Sequence, residues 1–169
     1  LASLRNQGGY QEQQFYFDNA VTNGGFDSNI SGWVNSSSGA GSISWSSGTM
    51  LLTSTNSSNV GITDQNIVVV VGQRYKFEFE ITATTGSLNS FKLGTSQNGV
   101  QYASVFNIGV GVHTFELVAN STNLWFRFNG YFGSGTTKID NISIFETDGT
   151  DIIHTMPQGW KPKDFFEDG

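Results

Sequence analysis

The sequence contains no cysteine and only two prolines and two histidines. Without cysteine there can be no disulfide framework, no thiolate zinc site and no cysteine nucleophile. Charge is scarce as well: 13% of the 169 residues are charged, and the formal net charge is -6. An acidic chain with scattered Lys and Arg lacks the electrostatic footprint that gathers phosphates, so neither nucleic acid nor an anionic membrane is an expected partner. Long hydrophobic runs are absent too. The longest, Ile67 to Val71, is strand-length and falls far short of the roughly 20 residues of a membrane span. No membrane insertion is therefore expected. The opening Leu1-Ala2-Ser3-Leu4-Arg5 has neither an initiator Met nor an apolar signal stretch, as expected of a mature or excised piece of something larger. With so few charges the polar surface must be built from Ser, Thr, Asn and Gly. Such a hydroxyl- and amide-rich surface suits an extracellular protein, or one on a cell or virion surface.

What is present is alternation. Tyr75-Lys76-Phe77-Glu78-Phe79-Glu80-Ile81 places Tyr75, Phe77, Phe79 and Ile81 on one face and Lys76, Glu78 and Glu80 on the other, the period of a half-buried strand. Leu124 to Phe128, His113 to Ala119 and Lys138 to Ile144 read the same way. Further strands are expected near 41–46, 49–55, 60–71, 90–95 and 102–108. Turn residues punctuate them: Ser47-Gly48, Gly72, Thr85-Gly86, Asn98-Gly99, Gly109 to Gly111 and Ser134-Gly135. No long segment has a helical period. The fold class is therefore all-β: a two-sheet antiparallel sandwich, or jelly roll. Residues 1–18 read as a polar, Gln-rich arm ending in Phe15-Tyr16-Phe17. Residues 19–147 read as the sandwich. Residues 148–169 read as a C-terminal extension carrying both prolines, Trp160 and Phe165-Phe166.

Three stretches resemble family 4, 9 and 22 carbohydrate-binding modules, a jelly-roll group within the galactose-binding-like superfamily. Asn23-Gly24-Gly25-Phe26-Asp27 followed by Gly32-Trp33 is similar to the family's opening. Val71-Gly72-Gln73-Arg74-Tyr75-Lys76-Phe77 is similar to its Gly-Gln-x-Tyr-x-Phe strand entry. Ile139-Asp140-Asn141-Ile142-Ser143-Ile144-Phe145-Glu146 is similar to its closing strand. The resemblance spans about 19–147 and implies the jelly-roll fold and a lectin-like, sugar-binding role. It also implies a structural calcium held where the opening loop meets the closing strand, with Asp27 and Asp140 as the acidic ligands. Asp27 stands where the family has Glu, one methylene shorter. The alternative for this pair is local: Asp27 capping a turn and Asp140 accepting backbone amides.

No catalytic constellation is visible. His113 and His154 lie near no nucleophile-elbow sequence. Glu78 and Glu80 would stand about 7 Å apart on one strand face, loosely like a glycosidase pair, but two solvated glutamates beside Lys76 explain them better. The protein is expected to be no enzyme. The aromatics are more informative, at 14% of the chain. Trp33 reads as packing. Trp125 and Arg127 fall out of register with Leu124, Phe126 and Phe128 and so face the other way. There an indole can stack on sugar C–H bonds and a guanidinium can donate to hydroxyls or carboxylates, unless the arm or a loop covers that face. Tyr102, Gln97 and Asn98, at and after the Asn-Gly turn, would add a phenol and amides to the carbohydrate site.

Two functions remain open on sequence. One is a non-catalytic carbohydrate-binding module for an oligo- or polysaccharide. The other is a structural, decoration or adhesion domain of a viral (phage) or other extracellular assembly, bound to neighbouring subunits through its terminal extensions. Both use the same fold.

Overall fold

The structure, a computed structural model, describes residues 19–147. The arm at 1–18 and the extension at 148–169, with His154, Trp160 and their aromatic clusters, lie outside the described residues.

The described residues form ten strands in chain order: β1 (Val34–Asn35), β2 (Ser42–Ser46), β3 (Thr49–Ser54), β4 (Ile62–Val68), β5 (Arg74–Thr84), β6 (Leu88–Gly94), β7 (Ala103–Ile108), β8 (Gly111–Val118), β9 (Asn123–Asn129) and β10 (Gly135–Thr147). They form two five-stranded antiparallel sheets. Sheet I has the order β1-β4-β9-β6-β7, and sheet II the order β2-β3-β10-β5-β8. The fold class read from alternation is thus the observed one. Among the described residues no helix is present, and none is long and apolar enough to cross a membrane.

Alternation builds the core directly. From β5, Phe77, Phe79 and Ile81 point inward and are fully buried. Phe91 and Leu93 of β6, with Leu124, Phe126 and Phe128 of β9, meet them from sheet I. Phe77 lies 4.9 Å from Phe126, and Phe79 lies 4.8 Å from Phe91 and 4.9 Å from Phe128, between ring centroids. Each such ring contributes roughly 1.5–3 kcal/mol on burial. Trp33 joins them, 5.5 Å from Phe126, with its indole N–H donating to the Asn23 carbonyl. It is packing, as its motif position implied.

The two similarity motifs at the ends of the sandwich meet in space. The β5–β10 register slips between Asp140 and Ser143, and Asn141 in that bulge has φ 51°. Asn19 fills the gap, donating to the Ile142 carbonyl and accepting from the Ile144 N–H at 3.1 and 3.0 Å. The Ile142 N–H donates to the Gly24 carbonyl at 2.9 Å. Gly24 approaches so closely that a Cβ there would lie 2.0 Å from the Ile142 oxygen. The second position of Asn-Gly-Gly-Phe is therefore closed to any side chain.

Candidate functional site

On β9 the side chains of Leu124, Phe126 and Phe128 are spent in the core. Trp125 and Arg127, one residue out of step, stand half-buried on the outer face of sheet I. The sheet register supplies their neighbours. Arg127 lies between Asp64 of β4 and Lys92 of β6; Trp125 lies between Asn66 and Gly94. Arg127 and Asp64 form a bidentate pair, with Nε 2.5 Å from Oδ1 and Nη2 2.9 Å from Oδ2. The Asp64 side chain is 1% exposed and that of Arg127 16%.

A carboxylate on an outer sheet face is covered only if something lies over it. The loop between β6 and β7 does so. Gln97 at its tip donates through Nε2 to Asp64 Oδ2 and to the hydroxyl of Ser36, both at 3.3 Å. Ser36 directly follows β1, at the far edge of the sheet, so the loop folds back across the face. Its base can lie this low because Gly94 has no side chain. A Cβ on Gly94 would stand 2.4 Å from the Gln101 side-chain oxygen and from the Gly99 backbone carbon. Asn98, in the left-handed conformation at φ 63°, accepts a hydrogen bond from Lys92 Nζ at 2.7 Å. Beside this network Asn66 donates to Asn123 at 3.1 Å.

The structure thus brings Trp125, Arg127, Gln97 and Asn98 to one face of sheet I. Tyr102 is held apart from them in hydrogen bonding. Its hydroxyl donates to the Asn120 side chain at 2.5 Å and accepts from the Asn120 N–H at 2.9 Å, pinning the β8–β9 turn. Sequence reasoning missed Asp64, Lys92 and Ser36. The polar run Asp64-Gln65-Asn66 on β4, with Asp64 and Asn66 on one face, was a signal for the first. Its placement beside Arg127 depends on β4 pairing with β9, which no local pattern announces.

The remaining candidates lie elsewhere. His113 packs its ring on Phe79, and its Nε2 is 2.9 Å from the Gly109 carbonyl. Glu78 and Glu80 are on the outer face of sheet II. Glu78 is 3.1 Å from Lys76 Nζ and accepts from Thr114, contacts that hold its carboxyl below the usual carboxylate range. Glu80 accepts from Asn141 at 2.8 Å.

Asp27 lies near enough to Asp140 for its charge to act there. Burial pushes the Asp140 carboxyl up, the Asn141 N–H opposes this, and the charges of Glu80 and Asp27 add to it. A cation between Asp27 and Asp140 would relieve that repulsion. Among the described residues no third His, Cys, Asp or Glu completes a ligating group. The rest of the six to eight oxygens calcium takes would come from carbonyls and water.

The model of the carbohydrate binding domain family (type 4/9) matches residues 18–147. The chain belongs to this family. No curated protein sequence matches it. Among solved structures, the enzymatically active domain of tailspike protein 4 from bacteriophage CBA120 is similar, with 21% identity and a TM-score of 0.57. That match covers 76% of this chain and 21% of the solved tailspike chain, so the likeness spans about a fifth of that chain's length. A family 16 carbohydrate binding module is 12% identical with a TM-score of 0.55, covering 76% of this chain and all of the module. A putative sugar binding protein from Bacteroides thetaiotaomicron is 9% identical with a TM-score of 0.53, covering 76% and 100%. At these identities the structures establish a shared fold. The family match makes this a carbohydrate-binding domain.

Proposed function

We propose that the domain is a non-catalytic module of an extracellular, cell-surface or virion protein, and that it holds saccharide on the outer face of sheet I. Trp125 is the stacking platform. Arg127, Gln97 and Asn98 supply hydrogen bonds, and Tyr102 braces the adjoining turn. The observation that carries this reading is the convergence of an outward indole, a clamped guanidinium and two loop amides on one sheet face. A sugar ring needs that combination: a flat apolar surface for its C–H bonds and polar groups at its hydroxyls. Calcium between Asp27 and Asp140 belongs to the reading as a structural ion, at the opening loop rather than on the sugar face.

The test is a glycan array with the wild type and Trp125→Ala. Stacking residues in weak sugar sites act on the hot-spot scale, so the variant should lose about 2 kcal/mol or more of binding. Its melting temperature should stay close to wild type, because the indole is outside the core. Undiminished binding by Trp125→Ala would move the site off this face.

A second reading, a structural or decoration domain of a phage or similar assembly, is favoured by the likeness to the tailspike structure. It requires residues 1–18 or 148–169 to contact neighbouring subunits. Deleting each segment and measuring mass by sedimentation equilibrium tests it. Loss of an oligomer on either deletion supports the assembly role; an intact chain that is monomeric at high micromolar concentration removes it.

A further inference from the structure

We infer that the saccharide this domain takes is acidic, and that Lys92 meets its carboxylate. The inference rests on the sugar face proposed above and adds the ligand's chemical class.

The strands of sheet I carry only three charged residues: Asp64, Lys92 and Arg127. They occupy one cross-strand row, with Arg127 between the other two. Both oxygens of Asp64 are bound by the Arg127 fork, and the carboxylate is enclosed under Gln97. Asp64 therefore neutralises Arg127 and has nothing left for Lys92. The loop from Thr95 to Tyr102 contains no charged residue at all. Among the described residues no carboxylate pairs with Lys92. Its partner is the neutral side-chain oxygen of Asn98. One positive charge is left over on this face of a chain whose net charge is -6.

The other sheet shows the contrast. There Glu78, Glu80, Glu116 and Asp140 gather on β5, β8 and β10, with Lys76 paired to Glu78 and Arg74 to Glu116. Among the described residues Arg74 and Lys76 of sheet II pair with local carboxylates and Lys138 does not, but that sheet carries more carboxylates than cations; on sheet I Lys92 has no free carboxylate in its sheet. An ammonium held by an amide and half withdrawn from water gains most from an ionised acceptor. A neutral glycan offers only hydroxyls, whereas a hexuronic acid or another carboxylated sugar stacked on Trp125 offers a carboxylate within the same row. The face also lacks a free acidic group of its own: Asp64 is sealed, and no second carboxylate on these strands repels an anion.

The experiment uses matched pairs of oligosaccharides: oligogalacturonate, oligoalginate and hyaluronan fragments, each beside its carboxyl-reduced form, which keeps linkage and length and removes the charge. Binding is measured by calorimetry with the full chain, Lys92→Gln and Trp125→Ala. A charge-assisted contact should favour at least one acidic member over its reduced partner by about tenfold. That preference should shrink at 0.5 M salt (roughly three times physiological). In Lys92→Gln the ratio should fall towards one with the melting temperature retained. If reduced or other neutral glycans bind as well as acidic ones, and lose binding in Trp125→Ala, the acidic assignment is overturned and the sugar face stands. Binding to none of them, nor to neutral glycans on the array, overturns both.

Discussion

Cutting the Asp64–Arg127 pair from its two sides should give unequal losses. Arg127→Met strands a carboxylate that is 1% exposed, with the Gln97 amide as its remaining hydrogen-bond donor. Breaking a buried pair this way costs about 3–5 kcal/mol. Asp64→Leu strands a guanidinium that keeps 16% of its side-chain surface in water, so Arg127 can turn outward. That loss should be about 1–3 kcal/mol, including about 1 kcal/mol for the lost acceptor of Gln97. For a domain of this size 1 kcal/mol moves the melting temperature by about 3–5 °C, so Arg127→Met should melt about 10–20 °C lower and Asp64→Leu by less. The double variant Asp64→Leu/Arg127→Met removes both charges and leaves none unpaired, and should lie within about 2 kcal/mol of wild type. Urea and thermal unfolding of the four proteins close a double-mutant cycle with a large coupling energy. Additive losses, or an Arg127→Met loss under about 1 kcal/mol, would show the pair to be solvated and the covering loop to be open in solution.

The close approach of Gly24 to the Ile142 carbonyl makes Gly24→Ala severely destabilising, because the added carbon meets backbone that cannot swing away. The loss should be several kcal/mol, in the exceptional range for single substitutions, read by urea unfolding; a loss under about 1 kcal/mol would mean that the opening loop does not clasp β10 tightly. Calcium should raise the melting temperature through binding to the native state alone, and Asp140→Ala should abolish that rise. Identical melting curves in calcium and in chelator would remove the metal from Asp27 and Asp140.

The fold was legible because alternation is a local signal. Tyr75 to Ile81 and Leu124 to Phe128 state their buried faces in their own sequence, and nothing in the sandwich overrides them. The outward register of Trp125 and Arg127 follows from the same rule. Legibility ended where the site depends on pairing between distant strands and on loop conformation. Asp64 and Arg127 are 63 residues apart and meet because β4 and β9 are neighbours in sheet I. Lys92 enters the row from a third strand. The Asn98-Gly99 signal located a turn correctly but not its direction. Only the space left by Gly94, and the reach of Gln97 to Ser36, show that the loop folds back across the face. Tyr102, three residues after Gly99, was grouped with that pocket by proximity along the chain. Its hydroxyl is bound to Asn120 because β7 and the β8–β9 turn share the same end of the sandwich.

An ion pair enclosed on the outer face of a sheet is a poor device for stability, since apolar residues of similar volume serve as well. On the proposed reading its value is geometric. With two donors locked on Asp64, the Arg127 guanidinium has its plane fixed, and its remaining N–H groups have set directions. Gln97, held by the same carboxylate, fixes the loop that carries Asn98. A ligand then meets groups whose rotamer entropy was already lost on folding, which matters most for saccharides, whose contacts largely replace contacts with water. The double variant Asp64→Leu/Arg127→Met separates the two roles. If the pair exists for geometry, this protein melts near wild type yet binds saccharide at least tenfold more weakly, the factor that corresponds to about 1.4 kcal/mol. If it melts near wild type and binds as well, Arg127 and the loop it anchors are bystanders, and Trp125 alone defines the face.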